Sequence, residues 1–170
     1  MELLPRRSLD DRPLFNINGV IYANRTADGH ECNCLIHSLE QVIASHGVPL
    51  ESAPAAIRTH LRERFSHASG DAWVGVQNFL TFHIHTMAII EEIGTLAREL
   101  GVSNSDRITP HAYTVRCMRR ISRTEANEGA MVPAGQDQYV LADEIGTGDL
   151  TLYLRNIDNI HFEPLLPLRN

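Results

Sequence analysis

Residues 30–38 read H-E-C-N-C-L-I-H-S. Two of the chain's three cysteines stand one residue apart there, and the second opens an apolar run. From Cys34 onward, Leu35, Leu39, Val42, Ile43 and His46 recur at helical spacing, and Gly47 then Pro49 close the segment. Three chemistries compete for this C-N-C: a metal clip, a disulfide, or a nucleophile at a helix start.

A disulfide is disfavoured. Cys32, Cys34 and Cys117 are too few for a framework, and a Cys32–Cys34 bridge would close a small strained ring. Reduced thiols and a reducing compartment are therefore expected. Zinc is disfavoured too. C-x-C lacks the usual C-x₂₋₄-C reach, and no second Cys/His pair answers it. The H-I-H at His83–His85 would put both rings on one face of a strand but spread them on a helix. Phe79, Leu80, Ile84 and Met87 around it favour a packed helix or turn. No metal and no cofactor are expected.

Outward from this centre, the first dozen residues read as an irregular arm. L-F-N-I-N-G-V-I-Y-A then gives two short apolar stretches about Asn18-Gly19, a hairpin signal. A second helix is expected from about Ala53 to His67, with Ile57, Leu61 and Phe65 inward. Trp73 opens a further helical region. Its stripe is Ile89, Ile93, Leu96, Ala97 and Leu100, and Gly101 ends it.

The period then changes. H-A-Y-T-V-R-C-M at 111–118 alternates like a strand, and T-E-A-N-E-G-A-M-V-P-A-G-Q-D reads as a polar connection. Q-Y-V-L-A, D-L-T-L-Y-L and I-H-F-E-P-L-L follow as three strands, with turns at G-T-G-D and N-I-D-N and a terminal hairpin. Helices first and strands later predict an α+β fold, helices packed on a small, mostly antiparallel sheet. The 170 residues fit one domain, 1–170.

Charge and composition narrow the function classes. A net charge of −6 argues against a nucleic-acid binder. Arg116, Arg119, Arg120 and Arg123 form the one basic cluster and read as a solvated strand end. No apolar run approaches the roughly 20 residues of a membrane span. The charged start M-E-L-L-P-R-R-S-L-D-D-R-P has no apolar h-region, so no signal peptide is expected. All 15 basic residues are arginine. Average composition would place roughly ten lysines in this length. Arginine keeps the charge but offers no primary amine for ubiquitin attachment. A GC-rich genome and selection in a ubiquitinating cytosol both account for the bias.

A thiol becomes a nucleophile where helix N-terminal amides and an imidazole favour its anion. Cys34 stands at such a helix start. His161 lies on a late strand with Glu163 two residues on, on the same strand face. Asp158 and Asn159 occupy the turn before it. On pattern alone, Cys34 and His161 are also readable as packed structural residues.

N-C-L-I-H-S-L at 33–39 resembles the nucleophile motif D-G-N-C-L-F-x-S-L of OTU (ovarian tumour) cysteine proteases. H-F-E-P-L at 161–165 resembles that family's H-Y-x-x-L histidine motif. The resemblance implies a papain-like OTU fold with Cys34 as nucleophile and His161 as general base. Glu163 takes the third place, usually Asp or Asn in the family, with Asn159 as fallback. The family's D-G directly before N-C is displaced here: Asp28-Gly29 is separated from Asn33 by H-E-C. Read without a gap, Glu31 and Cys32 take those two places.

The implied activity is removal of ubiquitin or a ubiquitin-like modifier from ubiquitinated substrates. The 51–72 region is the expected grip on that partner. The lysine-free composition suits a bacterial effector or toxin domain, or a viral protease, in a host cytosol. Two other outcomes are a protease that cuts its own precursor and a ubiquitin-binding module with little activity.

Overall fold

The computed structural model describes residues 2–7, 13–27, 32–121, 138–157 and 161–168. Asn18 and Gly19 both take positive φ, 52° and 87°. That two-residue turn matches the twist of the strands it joins. It connects β2 (Pro13–Ile17) to β3 (Val20–Asn24) with Ile17 opposite Val20, the expected hairpin.

The N-terminal residues do not form an irregular arm. They contribute β1 (Glu2–Arg7), antiparallel to β2 with Leu3 opposite Phe15. A proline and two arginines break the alternation that would mark a strand in L-L-P-R-R. Pairing to the open edge of β2 supplies what local pattern lacks.

Four helices follow: α1 (Cys34–Ala44), α2 (Pro54–Arg64), α3 (Asp71–Gln77) and α4 (Phe82–Glu99). Leu35, Ile36, Leu39, Val42 and Ile43 of α1 are all essentially buried. Each contributes about 1.5–3 kcal/mol by leaving water, which explains why α1 is the central helix. On α4, Ile89, Ile93 and Ala97 are buried as expected. Leu100 is 69% exposed, against expectation. It is the C-cap residue, and the chain turns away at Gly101, φ 69°. The buried stripe therefore ends at Ala97, three residues before the helical spacing would carry it.

The remaining strands are β4 (Tyr113–Ile121), β5 (Gln138–Ile145), β6 (Leu150–Ile157) and β7 (His161–Pro167). With them the sheet has, among the described residues, seven strands in the order β1-β2-β3-β7-β6-β4-β5. All neighbours are antiparallel except β4 and β6. The fold is thus α+β on a mostly antiparallel sheet. β6 and β7 form the expected terminal hairpin, with Ile157 opposite His161.

G-T-G-D is not a hairpin turn. It carries the chain from β5 across β4 to the far side, where β6 runs parallel to β4. Gly148 lies flush on the start of β4: a Cβ there would meet the backbone of Ala112 and Tyr113 at 2.2 Å. Thr114 Oγ1 donates to the Gly148 carbonyl at 2.7 Å, which seals the crossing.

Two cores result. One lies between the helices and the sheet, around Leu35, Leu39, Ile89, Val115, Leu152 and Phe162. The other collects Phe15, Ile17, Tyr22, Met118, Tyr153 and Leu165. The outer strands β1 and β5 approach one another. The sheet therefore curls around this second cluster, where Tyr22 and Tyr153 meet edge to face at 5.2 Å. No helix among the described residues is long and apolar enough to cross a membrane.

Candidate active site

Helix α1 packs against β7 and β6. That packing brings the first residue of α1 to the first residues of β7. Cys34 is a buried free thiol, 6% exposed. Burial pushes its pKa up; backbone N–H groups of Phe162, Leu35 and Cys34 itself pull it down, and Cys32 adds a smaller upward push. The Leu35 and Cys34 amides belong to the first helical turn, where donors have no intrahelical acceptor. The Phe162 amide comes from the far end of the chain, beside His161. The net direction is upward: three amides do not offset burial on their own.

His161 is one-third exposed, and its Nε2 lies 3.5 Å from Oε2 of Glu163, which is 1% exposed. An N–H on Nε2 pointing at that carboxylate leaves Nδ1 with its lone pair. Glu163 therefore lies beside the His161 imidazole, and Cys34 meets the backbone amide of the next residue, Phe162. Glu163 is held in turn. Asn24 Nδ2 donates to its Oε1 at 3.4 Å, and Arg155 Nη1 donates to Asn24 Oδ1 at 2.6 Å. Asn24 and Arg155 were not singled out by sequence. A lone Asn closing a strand and an Arg inside one carry no pattern of their own.

A third missed residue is Arg58, 4% exposed on α2. Its guanidinium grips the segment before the thiol. Nε donates to Asn33 Oδ1 at 2.7 Å, and Nη2 to the Cys32 carbonyl at 2.8 Å. Nη1 donates to the carbonyls of Val76 at 2.7 Å and Asn78 at 3.3 Å. Cys32 sits in the left-handed region, φ 61°, so the fork holds the backbone where it turns into the helix. In sequence Arg58 reads as one more charge on a surface helix.

Asp28, Gly29, His30 and Glu31 lie outside the described residues, as do Asp158, Asn159, Arg123 and the 124–137 connection. Cys117 is 1% exposed in β4, and burial, with Asp143 adding to it, pushes its thiol up to about 12. Arg116 pairs with Glu144 at 2.7 Å on the half-exposed β4–β5 surface. His83 and His85 lie on α4 and diverge. His83 pairs with Asp143 at 2.7 Å, whereas buried His85 accepts from the Thr81 N–H at 2.8 Å and reaches the Ala72 carbonyl at 2.9 Å. Among the described residues no cluster of His, Cys, Asp or Glu is placed to hold a metal.

No family model matches the chain, and no curated protein does. Among solved structures, one that it resembles is the crystal structure of an OTU deubiquitinase from Wolbachia pipientis wMel bound to ubiquitin. The two are 15% identical; the match covers 86% of this chain and 96% of that one, with a TM-score of 0.39. At that distance the site is read from its own residues.

Proposed function

We propose that this chain is a thiol hydrolase of OTU type, a single catalytic domain that cleaves bonds after the C-terminal glycine of ubiquitin or a ubiquitin-like modifier. The observation that best supports the reading is the approach of Cys34 to the Phe162 amide, one residue along the chain from His161, where α1 packs on β7. The motif resemblance at 33–39 and 161–165 names the same two residues.

In this reading His161 Nδ1 takes the thiol proton, and the sulfur attacks the carbonyl carbon of the modifier's terminal glycine. The carbonyl oxygen becomes an oxyanion, for which the amides of the first turn of α1 serve as donors in this reading. The C–N bond then breaks. The imidazolium gives its proton to the departing lysine amine, and a thioester remains. Water, losing a proton to His161, hydrolyses it. The modifier leaves as a carboxylic acid, and Cys34 regains its thiol. Glu163 keeps the imidazole in the tautomer that presents Nδ1 to sulfur.

The free thiols and the lysine-free composition support a further part of the reading, work in a reducing cytosol as an effector or viral enzyme among host ubiquitin ligases. One observation favours a second reading, a ubiquitin-binding module with little activity: burial raises the Cys34 pKa.

Ubiquitin carrying a C-terminal propargyl amide separates the two. The hydrolase forms a covalent adduct that Cys34→Ala abolishes and Cys32→Ala leaves intact. Affinity for ubiquitin without an adduct identifies the binding module. Neither adduct nor affinity across ubiquitin and its relatives rejects both.

A further inference from the structure

Three neighbouring strands meet behind His161. β3, β7 and β6 lie side by side, and Asn24, Glu163 and Arg155, one from each, form a single line that ends on His161. Arg155 stands opposite Glu163 across β6 and β7, and Asn24 stands opposite Leu165 across β3 and β7. From outside inward the line runs Arg155 to Asn24 at 2.6 Å, Asn24 to Glu163 at 3.4 Å, and Glu163 to His161 at 3.5 Å.

The chemistry gives this line a direction. A guanidinium has donors only, so Arg155 requires the oxygen of Asn24 to face it. The Asn24 NH₂ must then face the other way. It divides its donors between Glu163 and the Arg25 carbonyl, the latter at 3.1 Å. Glu163 accepts from Asn24 on Oε1 and turns Oε2 to His161. A buried glutamate has three side-chain torsions, and a carboxylate that rotates freely orients no ring. Asn24 is 0% exposed and belongs to a strand hydrogen-bonded to β7. It is therefore a rigid external reference for that rotation.

We infer that Asn24, locked by Arg155, is the positioning residue that aims Glu163 at His161. This role rests on the reading of Cys34 and His161 as a reactive pair. It adds that the pair's orientation is set from β3 and β6, strands that carry neither residue.

The test uses the full chain and iodoacetamide, which reports the Cys34 anion without needing the modifier. Alkylation of Cys34 is followed by mass spectrometry as a function of pH. In the wild type the imidazole supports alkylation on the acid side, and His161→Ala removes that limb. Asn24→Ala is expected to move the limb toward the His161→Ala profile, lowering the rate below the midpoint about tenfold, the equivalent of one pKa unit. In a Glu163→Gln background Asn24→Ala should add nothing, because it acts through that carboxylate.

An Asn24→Ala protein with wild-type circular dichroism, melting and alkylation profile overturns the role. So do Asn24→Ala and Glu163→Gln effects that multiply. Should Asn24→Ala fail to fold, Arg155→Ala, at a partly buried position, gives the same readout. An unchanged profile in His161→Ala is a separate result: it sinks the reactive pair itself, and this role with it.

Discussion

Cys34 and Cys117 are both buried thiols raised above the ordinary value of 9.0, for the same first reason, loss of water. They differ in what faces them. Amides face Cys34, whereas Asp143 adds a repulsive charge to Cys117. In a Cys34→Ala chain at mild alkaline pH, Cys32 should alkylate quickly and Cys117 only after denaturant is added. Intact-mass analysis counts the adducts, and rapid double labelling of the folded chain would contradict the assigned burial.

Glu40 offers a second residue-scale test. Burial raises its carboxyl, although the Ala53 N–H at 2.7 Å, the Ser52 hydroxyl at 2.9 Å and His37 all favour the anion. A carboxyl with a raised folded pKa binds more protons folded than unfolded. Its contribution is complete below the ordinary value of 4.5 and is lost as pH climbs through the raised one. Glu40→Gln removes the titration and keeps an oxygen for Ala53. The wild-type melting temperature should therefore fall relative to that variant as pH rises above 4.5. Parallel melting curves across that window would disprove the burial penalty.

Between elements, α2 is tied to the loop before α1 by one guanidinium. Arg58→Ala leaves the Cys32 and Val76 carbonyls and the Asn33 side chain without that donor, a loss of about 3 kcal/mol or more. Arg58→Lys should recover only part, since an ammonium cannot reproduce a planar fork. Urea unfolding measures both, and wild-type stability in Arg58→Ala would refute the clamp.

Gly94 tests packing against propensity on α4. Alanine normally improves a helix interior by about 1 kcal/mol over glycine. Here its Cβ would fall 2.2 Å from the Ile108 carbonyl oxygen, a backbone atom with little freedom to retreat. Overpacking of that kind costs about 1–3 kcal/mol, so Gly94→Ala should come out destabilised in the same urea experiment. A gain in stability would mean that the 105–108 turn yields freely.

At the scale of the molecule, β7 is both the carrier of His161 and Glu163 and a middle strand of the sheet, between β3 and β6. Removing residues 161–170 should therefore not yield a folded, merely inactive protein. It should separate the β1–β3 ribbon from β6, β4 and β5 and leave α1 without its floor. Loss of a cooperative thermal transition by circular dichroism is the expected result. A truncated chain that melts cooperatively near the wild-type temperature would show that the two halves of the sheet stand apart.

Local periodicity and turn chemistry sufficed for the α1 stripe, the Asn18-Gly19 hairpin, the α2 and α4 faces and the strand character of the last third. Those features arise from neighbours three to four residues apart on helices, two apart on strands, or adjacent in a turn. The pairing of β1 with β2 and the crossing of Gly148 over β4 had no such signal, because pairing partners and backbone contacts at a distance leave no period. The site divides along the same line. Residue type and motif named Cys34, His161 and Glu163 one by one. The approach of Cys34 to the Phe162 amide, the grip of Arg58 and the line from Arg155 through Asn24 exist only once α1 lies on β7 between β3 and β6, since contacts between residues far apart in the chain are made by packing.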